Sequence, residues 1–395
     1  MTMPLDPATC RRARLSRDPR FDGEFFLGVS STGIYCRPVC PARPPAEKNV
    51  RYFRLASQAA EAGYRPCLRC RPETAPGSPA WAGTTTTVNR ALRLIEQGAL
   101  DAAPLAALAE RLGVGERYLR KLFARELGVS PRAVALNRRL LFAKQLLAET
   151  DLAITEVAFA AGFGSVRRFN DALRGHFRLT PTQLRGRRGA KSGDTTIRLV
   201  LNYRPPYDWD GVMGFFRHHA VDGVEEASAA GYRRHFLCDG HPAWLQVTPL
   251  PGRNALQLAL SMPDHRHLQA VAGRVRRMFD LDANPLSIGA GLAENGELKA
   301  LLRASPGARS PGHWSLYESA VRAVVGQQVS TAAARGICAR LARVCSGALE
   351  HPVFPPPDAL LALDDSHFPM PGRRRETLRQ VCRLFSSAET PPDAA

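Results

Sequence analysis

With 395 residues, 45% of them hydrophobic, the chain is long enough for two to four domains of the usual size (about 100–200 residues) and apolar enough to fold them. Its formal net charge of +18 is uneven: Lys and Arg exceed Asp and Glu by 13 − 7 = +6 over residues 1–80, by 18 − 9 = +9 over 81–190 and by only 23 − 20 = +3 over 191–395. This places a polyanion-binding surface, suited to nucleic acid, in the first half. No stretch approaches the ~20 apolar residues a membrane span requires, and Met1 to Arg20, with five arginines, lacks a signal-peptide core, so a membrane partner is not expected. The nine cysteines form an odd set, and Cys10, Cys238, Cys338, Cys345 and Cys382 have no disulfide-like spacing, which fits a reducing cytoplasm.

The first chemistry-bearing stretch runs from Phe25 to Arg71. A strand-like Phe25 to Ser30 turns at Thr32 and Gly33 into Ile34 to Cys40. Cys36 and Cys40 then face Cys67 and Cys70 across 26 intervening residues, a Cys-x3-Cys and a Cys-x2-Cys pair. Two close pairs on tight turns can set four sulfurs about 2.3 Å from one zinc ion. Arg37, Arg43, Lys48, Arg51, Arg65, Arg69 and Arg71 surround them with positive charge, so the sulfurs lie within a surface that suits a phosphate backbone.

The segments Asp22-Gly23-Glu24-Phe25, Thr32-Gly33-Ile34-Tyr35-Cys36-Arg37-Pro38, Cys40-Pro41-Ala42-Arg43 and Gly63-Tyr64-Arg65-Pro66-Cys67-Leu68-Arg69-Cys70 closely resemble the N-terminal metal domain of the Ada adaptive-response proteins. The resemblance implies that a zinc-bound cysteine takes the methyl group of a DNA methylphosphotriester. By motif position the acceptor is Cys36, with Cys40, Cys67 and Cys70 as lasting ligands.

Pro72 to Thr87 reads as a linker. Beyond it Val88, Leu92 and Ile95 form an apolar stripe, and Pro104 opens a helix that stops at Gly113. Glu116 to Leu127 forms a second helix, burying Leu119, Leu122 and Phe123 and presenting Arg117, Arg120 and Lys121, as in a helix-turn-helix. Fifty residues on the pattern returns: Leu122 to Pro131 is echoed by Ala172 to Pro181, with Val134 to Leu147 as a connecting helix. In the second unit Gly162-Phe163-Gly164 turns, Ser165 caps, and Arg167, Arg168, Asn170 and Asp171 face outward. Arg117, Arg120, Lys121, Arg167 and Asn170 are the expected base contacts, with Arg37, Arg43 and Arg69 as phosphate contacts nearer the cysteines. The tandem resembles the DNA-binding domain of AraC-type regulators, with Arg178 where that family usually has Gly.

After a basic linker at 186–193 the period changes to two at Ile197, Leu199, Leu201 and Tyr203. A hairpin turning at Asp239-Gly240 predicts an antiparallel sheet, covered by a helix from His267 to Phe279. Helices are expected at Leu316 to Val325, Thr331 to Val344 and Arg374 to Phe385. Asn202-Tyr203-Arg204-Pro205-Pro206-Tyr207-Asp208-Trp209, Met278 to Pro285 and Ala320 to Ser330 closely resemble AlkA-type alkylbase DNA glycosylases. That resemblance implies that Gln328 fills the gap left by a flipped nucleotide, with Gln327 beside it and Phe215 at the pocket wall. The family's helix-hairpin-helix and catalytic aspartate are expected just after Phe385 and have no counterpart here: Pro371-Gly372-Arg373 is not that turn, and Asp364, Asp365 and Asp393 are not at the matching position. Such a partial domain predicts loose packing. No Pro-Cys-His-Arg segment marks an alkylguanine acceptor.

The expected fold is thus multidomain α+β: a small zinc-bound α/β domain (1–75), an all-α double helix-turn-helix domain (88–188), an antiparallel-sheet domain like the AlkA N-terminal part (195–285) and a partial helical glycosylase domain (286–395). The expected function is a cytoplasmic, nucleoid-associated sensor of DNA alkylation. It accepts one methyl irreversibly and then activates repair-gene promoters, with double-stranded DNA and RNA polymerase as partners. The alternatives are a regulator that also excises 3-methyladenine, and an AraC-type regulator whose zinc is only structural.

Overall fold

The computed structural model describes residues 6–72, 86–101, 103–186, 196–293 and 295–386. The expected linkers at 72–87 and 186–193 fall mostly outside these residues, as does Asp393.

In the first region α1 (Pro7–Ser16) starts on Asp6, whose carboxylate accepts from the backbone N–H of Ala8 and Thr9. A four-stranded sheet follows, made of β1 (Phe26–Val29), β2 (Ile34–Cys36), β3 (Val50–Phe53) and, after α2 (Ala56–Glu61), β4 (Arg65–Pro66), in the order β3-β1-β2-β4. β1 and β2 form an antiparallel hairpin through Gly33 at φ +62°, whereas β2 and β4 run parallel, with Tyr35 opposite Pro66. Gly28 is required by close approach, since a Cβ there would lie 2.8 Å from the Phe53 ring and 2.9 Å from that of Tyr64.

Seven helices follow: α3 (Thr86–Glu96), α4 (Leu105–Arg111), α5 (Glu116–Leu127), α6 (Pro131–Glu149), α7 (Ile154–Ala160), α8 (Val166–Phe177) and α9 (Pro181–Arg185). The repeat read in the sequence is repeated in the caps. α6 starts on Ser130 and Pro131, α9 on Thr180 and Pro181, and in each case the hydroxyl accepts from the third backbone N–H of the helix.

The third region is a five-stranded antiparallel sheet, β5 (Ile197–Asn202), β6 (Glu225–Ser228), β7 (Gly231–Cys238), β8 (His241–Pro249) and β9 (Ala255–Ser261), in the order β5-β9-β8-β7-β6. Asp239 and Gly240, both at positive φ, make the tight β7–β8 turn. α10 (Trp209–His219) and α11 (Leu268–Met278) pack on the sheet. Then come α12 (Pro285–Leu292), α13 (Gly296–Ala304), α14 (Leu316–Val325), α15 (Thr331–Ser346), α16 (Pro357–Leu361) and α17 (Gly372–Ser386).

Packing in this last part is uneven. α14, α15, α16 and α17, with Val221 and Val224 ahead of β6, enclose an apolar core that includes Val321, Val325, Leu341, Leu360 and Leu378. α12 and α13 bury no residue and leave Ile288, Leu292, Leu298 and Leu301 exposed. Arg234, 1% exposed, ties the sheet to α14 by pairing with Glu225 and Glu318, and Arg322 joins the same two carboxylates. A buried charge set of this kind is tolerable because each guanidinium meets a carboxylate.

The cores do not follow the tandem pattern. The first helix-turn-helix unit builds its core from α3, α4, α5, the start of α6 and Leu55 of the first region. The second unit shares one continuous core with the five-stranded sheet, from Leu140 through Phe169 and Phe177 to Leu245 and Phe279. α6 lies at the junction of all three regions. Lys144 donates through Nζ to the Cys67 carbonyl at 3.1 Å, Glu149 pairs with Arg71 at 2.9 Å and accepts from the Val200 N–H at 2.8 Å, and Gln145 donates to the Val200 carbonyl.

Candidate metal centre and nucleic-acid interface

The parallel pairing of β2 with β4 sets up the metal centre. The Cys67 N–H donates to the Tyr35 carbonyl at 2.9 Å, which places Cys36, the last residue of β2, beside Cys67. Cys40 turns back after Arg37, and Cys70 closes the group. The four sulfurs lie within 4.8 Å of one another. A tetrahedral zinc–thiolate site has sulfurs about 3.8 Å apart, so this donor set closes on zinc with small adjustments. Cys36, Cys67 and Cys70 are buried, and Cys40 is the most exposed of the four. Left to themselves, four thiols this close share protons. Hydrogen bonding with Cys40 pushes Cys36 up, and the bond from Cys36 draws Cys40 down to about 7. A bound divalent cation resolves that competition by holding all four as thiolates.

Arg37 departs from its expected place on the DNA face. Its Nε donates to the Asp22 carboxylate at 2.7 Å, Nη1 donates to the Cys70 carbonyl at 3.0 Å, and its backbone N–H points at the Cys70 sulfur at 3.3 Å. The side chain is buried because Asp22, itself buried, offers the charge its guanidinium would otherwise find on a phosphate. Arg37 is thus a clamp on the cluster. Arg43 and Arg69 are exposed.

On α5, Arg117, Arg120 and Lys121 face solvent while Leu119, Leu122 and Phe123 are buried, and Arg120 rests on Glu116 one turn earlier. Tyr118, 52% exposed, stands in the same row and was not singled out from the sequence. On α8, Arg167 and Arg168 are exposed, whereas Asn170 is half-buried with its side-chain oxygen inside the protein.

In the third region Phe215 is exposed on α10, its ring 4.3 Å from that of His219. Gln327 and Gln328 are exposed in the turn between α14 and α15, Gln328 at φ 57°. Arg322 donates to the His219 carbonyl at 2.8 Å and Arg335 to that of Ala220 at 2.6 Å, which seats the end of α10 against α14 and α15. Phe215 and the two glutamines are therefore on neighbouring elements.

A cysteine metal centre clamped onto a double helix-turn-helix, continuous with an antiparallel sheet and its helices, defines a multidomain metal- and DNA-binding protein. Comparison with known families agrees along the chain. Residues 9–73 match the metal binding domain of Ada, 108–187 a helix-turn-helix domain and 198–315 the AlkA N-terminal domain. The "Probable bifunctional transcriptional activator/DNA repair enzyme AlkA" of Mycobacterium tuberculosis is 39% identical over 397 residues, covering 98% of this chain and 79% of that protein. The "Bifunctional transcriptional activator/DNA repair enzyme Ada" of Escherichia coli is 38% identical over 149 residues, covering 38% of this chain and 40% of that one. "DNA-3-methyladenine glycosylase 2" of the same bacterium is 34% identical over 186 residues, covering 45% and 64%.

The chain belongs to the family of Ada–AlkA fusion proteins, and its four-cysteine cluster is a zinc site of the Ada type. Among the described residues no helix is long and apolar enough to cross a membrane.

Proposed function

We propose that the chain records DNA alkylation by moving one methyl group from a methylphosphotriester to Cys36, and that the modified protein then activates repair-gene promoters together with RNA polymerase in the cytoplasm. Zinc, held by Cys36, Cys40, Cys67 and Cys70, supplies thiolates at neutral pH. The Cys36 sulfur lone pair forms the S–CH3 bond as the methyl C–O bond breaks. The phosphodiester leaves as a stable anion with the bonding pair, so no general acid is involved. Arg43 and Arg69 hold the flanking phosphates, and Arg37, fixed on Asp22, keeps Cys70 in place behind the reacting sulfur.

The product is a thioether, so the site carries one negative charge fewer. For a phosphate about 6 Å away that relieves about 1–3 kcal/mol of repulsion, or about 5- to 150-fold in DNA affinity. Nothing in the set of residues around Cys36 offers a route back, so each molecule reacts once.

The observation that carries this reading is the gathering of four sulfurs into one cluster beside exposed arginines. The choice of Cys36 rests on its motif position. The working units are taken as 1–75, 88–188, 195–285 and 286–395. Protein mixed with methylphosphotriester DNA should gain a single methyl on the Cys36 peptide by mass spectrometry, and Cys36→Ser should abolish damage-dependent promoter activation. A methyl on no cysteine would leave a regulator with an inert zinc site. The likeness of residues 198–315 to the AlkA N-terminal domain favours a second activity, excision of 3-methyladenine, which release of free base from methylated DNA by the same sample would reveal.

A further inference from the structure

A second group of metal-ligating side chains lies far along the chain from the four cysteines, at the tip of the β7–β8 hairpin. Two short segments meet there, Cys238-Asp239-Gly240-His241 at the turn and Asp264-His265-Arg266-His267 ahead of α11. The Cys238 sulfur, an Asp239 carboxylate oxygen and a His267 ring nitrogen all lie within 4.8 Å of one another, the same limit that the four-cysteine cluster meets. His267 Nε2 is 2.9 Å from Asp239 Oδ2, so the imidazole already points into the group.

The three ligands are held by different devices. Cys238 is buried at the end of β7, Asp239 is fixed at φ 49° by the tight turn, and His267 ends the short 3-10 turn Asp264 starts. Burial and the neighbouring Asp239 charge push the Cys238 thiol up, while a hydrogen bond with the Asp264 backbone works the other way. A backbone N–H on a sulfur is also what Arg37 supplies to Cys70 in the first site. Arg266 is largely exposed and pairs with the Asp264 carboxylate, and its positive charge also works to lower the Cys238 thiol.

We propose that Cys238, Asp239 and His267 form a second metal site that takes a borderline-soft divalent cation, zinc by its donor set. One sulfur, one nitrogen and one oxygen match the ligands zinc accepts, and three protein ligands at a partly exposed tip leave the fourth position to water. On binding, the Cys238 thiol gives its proton to solvent, the His267 proton moves from Nε2 to Nδ1, and the His267–Asp239 hydrogen bond is replaced by two metal bonds. The ion would staple the hairpin tip to the start of α11.

The test is the zinc content of the full chain after equilibration with zinc and removal of the excess, by elemental analysis. Wild type should hold two ions per chain, and His267→Ala and Cys238→Ser one each, the four-cysteine site being untouched and serving as the internal standard. Cys67→Ser, aimed at the first site, should leave the hairpin ion in place. One zinc per chain in wild type, or two retained in His267→Ala, overturns the proposal. Because His267 is only half-buried and sits at the hairpin tip, its variant should fold normally, and neither result bears on methyl transfer to Cys36.

Discussion

The two helix-turn-helix units end in the same backbone turn made by different residues. After α5 the chain turns at Gly128, φ 68°, and after α8 at Arg178, φ 57°, and in each case the cap N–H bonds the carbonyl four residues back. Gly adopts that conformation freely, whereas a residue with a Cβ pays about 1–2 kcal/mol for it. The surroundings differ as much as the caps. The first unit closes a core of its own with Leu55, and the second is half of a larger core completed by the sheet. A repeat in sequence therefore does not make two equivalent folding units.

The sharpest way to break the comparison is at the matched core positions, Leu119 in α5 and Phe169 in α8, both fully buried. Phe169→Ala should cost about 3–5 kcal/mol and Leu119→Ala about 2–5 kcal/mol. The distinguishing outcome is where the loss spreads. Hydrogen exchange should show β5, β8 and β9 loosened by Phe169→Ala and left protected by Leu119→Ala. Equal effects on the sheet would mean that the shared core does not couple them.

The caps sharpen the contrast on a smaller scale. Arg178→Gly should raise stability by about 1 kcal/mol, and Gly128→Ala should lower it by a similar amount, read as opposite shifts in Tm. Nothing fills the space around Gly128, so the second change measures backbone strain without a steric clash.

The smallest effect is in pH dependence. His176 in α8 corresponds to Glu126 in α5, and burial draws its pKa down from 6.5 to about 4. The unfolded chain thus binds a proton that the folded one refuses. The neutral form's contribution is complete above pH 6.5 and is lost as the pH falls from there toward 4. Stability measured by denaturant titration should fall across that window, and less steeply in His176→Gln. An unchanged slope would show that His176 takes up its proton without cost.

The metal centre was legible because its information is local: two cysteine pairs on tight turns need only a strand pairing to meet, and the residues Ile34 to Cys36 and Arg65-Pro66 supply it. The helix-turn-helix repeat was legible through its periodicity and caps. Arg37 was not, since its neighbours in sequence suggest a basic surface, and only Asp22, brought alongside by the fold, turns it inward. α6 reads in the sequence as a connecting helix, yet Asn137, Lys144 and Gln145 are buried on it along with Leu140, Leu146 and Leu147. Polar side chains in such a helix look solvated until the groups that receive them, the Cys67 carbonyl and the Val200 backbone, arrive from distant parts of the chain. α10 and β6 also escaped the sequence reading, the first because its Gly211 and Gly214 blur the helical pattern and the second because it is a short edge strand with charged residues.

By itself, then, the sequence determined the donor set, the tandem repeat and the alternating strands, because each is written in short-range patterns: cysteines three or four apart, caps and apolar stripes at helical spacing, and strand alternation at two. The tertiary structure decided which arginines face out, which polar groups α6 buries and where one core ends and the next begins. Those outcomes depend on contacts between residues far apart in sequence, whose charges and hydrogen bonds are satisfied only once the regions have packed.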